Sequence, residues 1–450
     1  VADTDAIELD PSYGPDGRVW YASGEEGSID IWSIDPETAE RTHHAGSGRV
    51  ARSPQVGPAG RTLIYLQKGG GPDRIVAHEL ATGEEVAVVA SRLLPQTQPA
   101  LSPVGPRIAF AQPQAHGDGW ELRIASLERP GASVLLAGGG DHLPLAPAWS
   151  PDGAWVWFSE AGHDQIVRLY RVPAIGGAVE EVGVAGSDAA ADWGRVRLTT
   201  TSGGRAEPVA ARISVRDANG HPLFTAGRVP RFDGQTGRVF FYSDGVVEVE
   251  APAGSVTVQV ARGLEHQVAE RVIDVAPGRT TAVAIDLEPV WSAAAAGWSS
   301  GDQHFHLNYG GPYRLTPEDM RDVLAGEQLD VSTPLVANLH ERFGEQHWFG
   351  WAETGDGPMV RFGQEVRSHV LGHIGLIGTD QLFWPWVWGP GYEVYGQDDR
   401  LNAEVTAHSR RRGGLASYVH PSGADPFVDP AAPGLPVELV ADGILGDVQA

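Results

Sequence analysis

Hydrophobic and polar positions alternate through the first 180 residues in short runs, each opened by a turn. YGPDGRVWYAS (13–23), VGPAGRTLIYL (56–66), LSPVGPRIAFA (101–111) and WSPDGAWVWFS (149–159) share a turn built on proline and glycine, followed by an alternating strand. Their aligned prolines, Pro15, Pro58, Pro103 and Pro151, are spaced by 43, 45 and 48 residues. A second alternating run follows each one: GSIDIWSID (27–35), DRIVAHEL (73–80), WELRIASL (120–127) and QIVRLYRV (165–172). A period near 45 with several short strands per unit predicts propeller blades, because a small sheet buries its apolar faces only by stacking on the next repeat. Residues 1–185 are therefore expected to form blades, each a four-stranded antiparallel sheet with the turns at equivalent corners.

The period is lost between 190 and 290, but alternation persists in VAARISVRDANGHPLF (209–224), FFYSDGVVEVEAPAGSVTVQVARG (240–263) and RVIDVAPGRTTAVAIDL (271–287). This predicts a small antiparallel β-sandwich. It holds no His, Asp and Glu cluster at ligand spacing and reads as a spacer. From 299 to 450 the rhythm changes to strand and helix. TPEDMRDVLAGEQL (316–329) has Thr316 at the N-cap, Pro317 at the first helical position and Met320, Val323 and Leu324 on one face. DVSTPLVAN (330–338) follows as a strand, LNAEVTAHSRRRGG (401–414) as a helix ending in glycine, and LASYVHP (415–421) as the next strand. Such β-α-β order predicts a mainly parallel sheet or barrel with its chemistry at the C-terminal strand ends.

Charge and composition narrow the function. A formal net charge of -25 opposes binding to nucleic acid or an anionic membrane surface, which needs clustered Lys and Arg. No run of about 18 apolar residues is present to enter a membrane. The absence of cysteine removes disulfides, thiolate nucleophiles and thiolate metal sites. There is no GxSxG elbow and no P-loop, so acyl-serine and nucleotide-phosphate chemistry are disfavoured.

Histidine is concentrated near the C-terminal end. Of 16 in the chain, eight fall between 304 and 420: His304, His306, His340, His347, His369, His373, His408 and His420. In GDQHFHL a strand puts His304 and His306 on one face, close enough to chelate one cation. GQE (363–365) and YVHP (418–421) each end a strand, and GHIGL (372–376) opens one, so Glu365, His420 and His373 lie at three further strand ends of the same domain. Imidazole with carboxylate suits a divalent ion such as zinc or manganese. FWPWVWGPGYEVYG (383–396) offers Trp384, Trp386 and Trp388 either as packing or as an apolar wall for an aromatic or hydrophobic small-molecule substrate.

Two resemblances follow from these motifs. The repeat of proline-glycine turn and strand is similar to the blades of TolB-type propellers. GDQHFHLNYGGPYRLTP, followed in order by GQE, GH and YVHP, resembles the CehA/McbA metallohydrolases, the carbaryl-hydrolase-like branch of the PHP superfamily. That resemblance implies a PHP-type β/α barrel after the all-β regions. It makes His304, His306, Glu365, His373 and His420 ligands of divalent metal, zinc or manganese. It implies metal-dependent hydrolysis of an ester, carbamate, amide or phosphoester, in a periplasmic or secreted protein. The family's Asp-His pair at the second strand end is replaced by VANLHE, where Asn338 or His340 stands in, His340 being the candidate catalytic residue. The family's last ligand-bearing strand has no counterpart before GDVQA (446–450), so the barrel is expected to be incomplete at its C-terminal end. The alternative reading is a non-catalytic propeller-based binding protein with a degenerate metal site.

Overall fold

The computed structural model describes residues 6–420 apart from 7, 27, 47–48, 69–71, 92–97, 115–118, 141, 184–191, 234–236, 309–314, 337–344, 355–356, 369–370 and 389–399. Its first part is four antiparallel meanders of four strands each. They comprise Glu8–Tyr13, Val19–Ser23, Asp30–Ile34 and Arg41–Ala45; then Val50–Val56, Thr62–Lys68, Asp73–Glu79 and Glu85–Ser91; then Ala100–Leu101, Arg107–Pro113, Trp120–Ser126 and Ser133–Gly138; and Leu145–Trp149, Trp155–Ala161, Val167–Pro173 and Glu180–Val182. Each repeat of the sequence is thus one sheet. The repeated glycine of the turn has a structural reason: Gly17, Gly60, Gly105 and Gly153 have φ of 82°, 67°, 80° and 66°, the left-handed region that side-chain-bearing residues avoid.

The alternation seen along the second blade serves two interfaces at once. Leu63 and Tyr65 pack with Trp20, Ala22 and Ile31 of the first sheet. Ile64 and Leu66, pointing the other way, pack with Ile108 and Phe110 of the third. Ala109 and Leu122 of that sheet then meet Val156 and Phe158 of the fourth. Side chains on opposite faces of one strand therefore tie three consecutive sheets together, a propeller-like all-β arrangement.

The next region is two sheets around one core. Val246–Pro252, Trp193–Ser202 and Thr280–Leu287 form one; Arg231–Asp233, Arg238–Ser243, Ala211–Arg216, Gly254–Ala261 and Ala269–Val275 form the other. Val256, Val258 and Val260 face Val247, Val249 and Ala251, as the period of two requires. The expected purely antiparallel pairing does not hold throughout, because Trp193–Ser202 runs parallel to Thr280–Leu287.

The last region departs further from expectation. Among the described residues it is an open, mixed sheet, not a closed β/α barrel. Val331–Val336 lies parallel to Gly301–Phe305, Met359–Arg361 and Gly363–Ser368. Gly363–Ser368, Gly372–Ile377 and Leu415–Tyr418 then pair antiparallel. Two α-helices accompany this sheet, Met320–Gly326 and Asn402–Arg411. The predicted helix at 316–329 begins as a 3-10 turn, Pro317–Asp319, closed by Thr316 and Asp319 in a capping box. Its α-helical part leans on the sandwich: Arg262 Nη1 donates to Ala325 O at 2.8 Å, the Gly263 amide to Gly326 O at 3.2 Å, and Tyr242 Oη to Glu327 Oε1 at 2.7 Å. No helix among the described residues is long and apolar enough to cross a membrane.

The first blade contains an acid-sensitive contact. The His44 ring lies 4.1 Å from that of Trp20, and its Nε2 is 2.8 Å from Ser33 Oγ. Burial, then the charge of Arg18, push its pKa down to about 4 from the ordinary 6.5. The unfolded chain therefore binds the proton more readily, and stability present above pH 6.5 is lost as pH falls towards 4. Allowing for solvent screening, the loss is about 1–2 kcal/mol. Urea unfolding at pH 7 and pH 4.5 should show a smaller difference between the two for His44→Gln than for the native chain.

Candidate metal centre

The cluster is assembled by strand geometry. Glu365 and Arg367 are two residues apart on Gly363–Ser368, so both point to one face, and His373 on the neighbouring strand is paired opposite Arg367. His306 follows directly on the strand that carries His304, and His420 lies two residues beyond Leu415–Tyr418. Convergence thus comes from an antiparallel hairpin flanked by two strand ends, not from the C-terminal rim of a parallel barrel. Glu365, expected to end its strand, is the third residue of it.

Glu365 is the hub. It is 1% exposed. His306 Nε2 is 2.5 Å from its Oε2, His304 Nε2 is 3.5 Å from the same oxygen, and His373 Nδ1 is 2.6 Å from Oε1. The His420 ring stands 4.9 Å from those of both His304 and His373. Sequence reasoning missed Arg367, which is 3% exposed and donates from Nε to Oε1 at 3.0 Å and from Nη2 to Oε2 at 3.2 Å. The signal was the spacing in GQEVR, where residues i and i+2 share a face. Burial raises the Glu365 pKa, but hydrogen bonds from His304, His306 and His373 and the Arg367 charge together hold it far below the ordinary carboxylate range.

Asn308, from the opening motif, holds the end of the histidine strand in place. Its Oδ1 accepts from the Leu315 amide at 2.6 Å and its Nδ2 donates to Glu345 Oε1 at 2.9 Å. Beneath the hairpin, Val405 of helix Asn402–Arg411 packs with Val366, Ile374 and Leu376. Trp386 is fully buried in the core with Phe362 and Val336, where it packs; Trp384, its ring 6.1 Å from that of Trp386, is 53% exposed. The side chain of Trp388, and all of Asn338 and His340, lie outside the described residues.

The donor set fits a divalent ion. His306 Nδ1 is 2.9 Å from Leu335 O, which can only accept, so Nδ1 carries a proton and Nε2 is the ring nitrogen turned towards Glu365. This is how imidazole ligands are held. At 2.5 Å from the carboxylate oxygen, Nε2 is placed to share either a proton or a cation with it. His304, Glu365 and His420 each present a ligand atom within 4.8 Å of the other two. Two ligands of a tetrahedral ion, at bond lengths of about 2.0–2.1 Å, lie about 3.4 Å apart. The His304–Glu365 separation of 3.5 Å matches that, while the 2.5 Å contact to His306 is that of a proton bridge.

No family model matches the chain, and no curated protein does. Solved structures similar to it include TolB from Acinetobacter baumannii, at 15% identity and a TM-score of 0.36, covering 55% of this chain and 57% of that one. The putative TolB from Agrobacterium tumefaciens is 14% identical with a TM-score of 0.35, covering 62% and 87%. An oligogalacturonate lyase in complex with manganese is 16% identical with a TM-score of 0.33, covering 55% and 72%. This chain thus spans little more than half the length of the first. The propeller-like reading rests on the four stacked sheets themselves, and the CehA/McbA resemblance on its motifs alone.

Arg367→Gln removes the permanent counter-charge of a buried carboxylate and should cost about 3 kcal/mol in the metal-free protein. Chemical denaturation with and without added zinc checks this. The variant should recover more stability from zinc than the native chain does, because a cation replaces the lost charge.

Proposed function

We propose that this chain is a metal-dependent hydrolase in which His304, His306, Glu365, His373 and His420 hold divalent metal, zinc or manganese, as in CehA/McbA-type enzymes. The observation that carries the reading is the meeting of three imidazoles on one buried carboxylate, with the His420 ring against two of them and a proton on His306 Nδ1 that leaves Nε2 facing Glu365. A bound ion would supply Lewis acidity and an acidified water for attack on an ester, carbamate, amide or phosphoester. The chain's own residues do the positioning. Arg367 fixes both oxygens of Glu365, the Leu335 carbonyl orients His306, and Asn308 ties the end of the histidine strand to Leu315 and Glu345. Of the two tryptophans whose side chains are described, exposed Trp384 is the one placed to meet an apolar or aromatic small-molecule substrate. His340 as a catalytic residue, and a periplasmic or secreted location, belong to this proposal through the family resemblances only.

One observation favours the second reading, a non-catalytic binding protein with a degenerate site. Arg367 already neutralises Glu365, so the cluster is satisfied without an ion. Metal analysis joined to a screen of ester, carbamate and phosphoester substrates separates the two. The double variant His304→Ala/His306→Ala should lose bound metal and at least a hundredfold in hydrolysis while the far-ultraviolet spectrum keeps its strand signature. A native chain that takes up zinc or manganese at this cluster yet turns over none of these substrates would support the second reading.

A further inference from the structure

A different group of side chains, far from the histidine-rich sheet in sequence, has the makings of a cation site. In the first blade, Asp30 is the first residue of the third strand and is paired directly opposite Ser23 of the second, so both side chains lie on one face. Glu26 sits in the connection between those strands. His43 comes from the fourth strand, paired opposite Trp32 and stacked on its ring at 4.8 Å. Glu26, Asp30 and His43 each offer one ligand atom, all within 4.8 Å of one another.

Proximity alone would mean little. The second observation is that Asp30 is 5% exposed and its carboxylate is only half satisfied. Oδ2 lies 3.4 Å from His43 Nε2, whereas Oδ1 is buried without a hydrogen-bond partner. Ser23, fully buried across the strand pair, likewise has an unpartnered Oγ. The nearest arginine on the adjoining strand, Arg41, is engaged elsewhere, donating to Glu25 Oε1 at 2.8 Å and to Tyr21 Oη at 2.9 Å. A buried carboxylate in this state carries a desolvation cost that one imidazole at 3.4 Å does not offset. The C-terminal cluster differs, because there Arg367 supplies a fixed positive charge.

The backbone can approach this carboxylate only because residue 46 is glycine. Gly46, just past the fourth strand, lies against the carboxylate so closely that a Cβ there would fall 2.3 Å from Asp30 Cγ and 2.4 Å from Oδ2. Any side chain at 46 would fill the position above the aspartate.

We propose that Glu26, Asp30 and His43 bind a divalent transition-metal ion on the first blade, independently of the C-terminal cluster. Two hard carboxylates with one borderline imidazole are a mixed set that suits zinc or manganese better than calcium, which prefers oxygen alone. His43 and Glu26 are exposed, so the ion would enter from solvent and keep an open coordination position. An ion here would tie the second, third and fourth strands of the blade together across their turn.

The test uses the full chain carrying Glu365→Gln and His304→Ala, stripped with chelator and titrated calorimetrically with zinc and, separately, manganese. One ion per chain should still bind, and adding His43→Ala should weaken it at least tenfold. Gly46→Ala, which removes no ligand but pushes the Asp30 carboxylate aside, should do the same. In the otherwise native chain, His43→Ala should lower the zinc stoichiometry by one, which keeps the test valid if the C-terminal double variant does not fold. Zinc bound equally well with and without His43, or no ion bound once the C-terminal cluster is removed, overturns the proposal and leaves Asp30 as a buried acid paired only with histidine.

Discussion

A carboxylate with 1% of its surface exposed can remain ionised only if its surroundings replace water, and the last region of this chain is arranged around that requirement. Glu365 receives a guanidinium from its own strand, one imidazole from the antiparallel neighbour and two from the strand that opens the region. Each donor is placed by the elementary geometry of sheets. Alternation brings Arg367 beside Glu365, register brings His373 opposite Arg367, and the parallel pairing of Gly301–Phe305 with Val331–Val336 brings His306 over the Leu335 carbonyl. Helix Asn402–Arg411 and the buried Trp386 hold that hairpin from outside; the Trp386 carbonyl accepts the Arg367 amide at 2.7 Å. Trp386 therefore contributes to the cluster through its backbone carbonyl as well as through packing.

Much of this was legible in the sequence because it depends on short periods. The proline-glycine turn recurs because the blade corner needs a left-handed residue, and the two-residue alternation of TLIYL already encodes two packing faces. The paired histidines could be read because HxH is a strand spacing, whereas the same spacing in ExR, which brings Arg367 beside Glu365, was missed. What could not be read is pairing direction. The sequence around 363–377 is apolar and glycine-bearing, and it is compatible with either a parallel barrel strand or a hairpin; only tertiary contacts decide. The same limit hid the parallel pair in the sandwich. Trp386 illustrates a second limit, since a tryptophan beside two others gives no sign of which one is fully enclosed.

The two carboxylate-centred groups of the molecule solve similar problems differently. Around Glu365, a fixed cation and three imidazoles crowd a single acid, so its charge is balanced within the protein. Around Asp30, two acids share one imidazole, and one buried oxygen has no protein donor. Charge complementation inside the fold is therefore uneven, in a chain whose net charge of -25 leaves few spare cations to place.

The seven-residue helix Met320–Gly326 is shorter than the length at which a helix persists alone in water. Its last carbonyls are completed from another part of the chain, by the Arg262 side chain at Ala325 and the Gly263 amide at Gly326. The sandwich is thus a splint for the region that holds the histidines, although the sequence between them changes character as if it were a seam. A fragment cut at that seam would lose the groups that finish the helix, and with them the brace beside the Val331–Val336 strand. A piece able to present the Glu365 cluster in its observed form therefore includes the sandwich from its first strand, Trp193–Ser202.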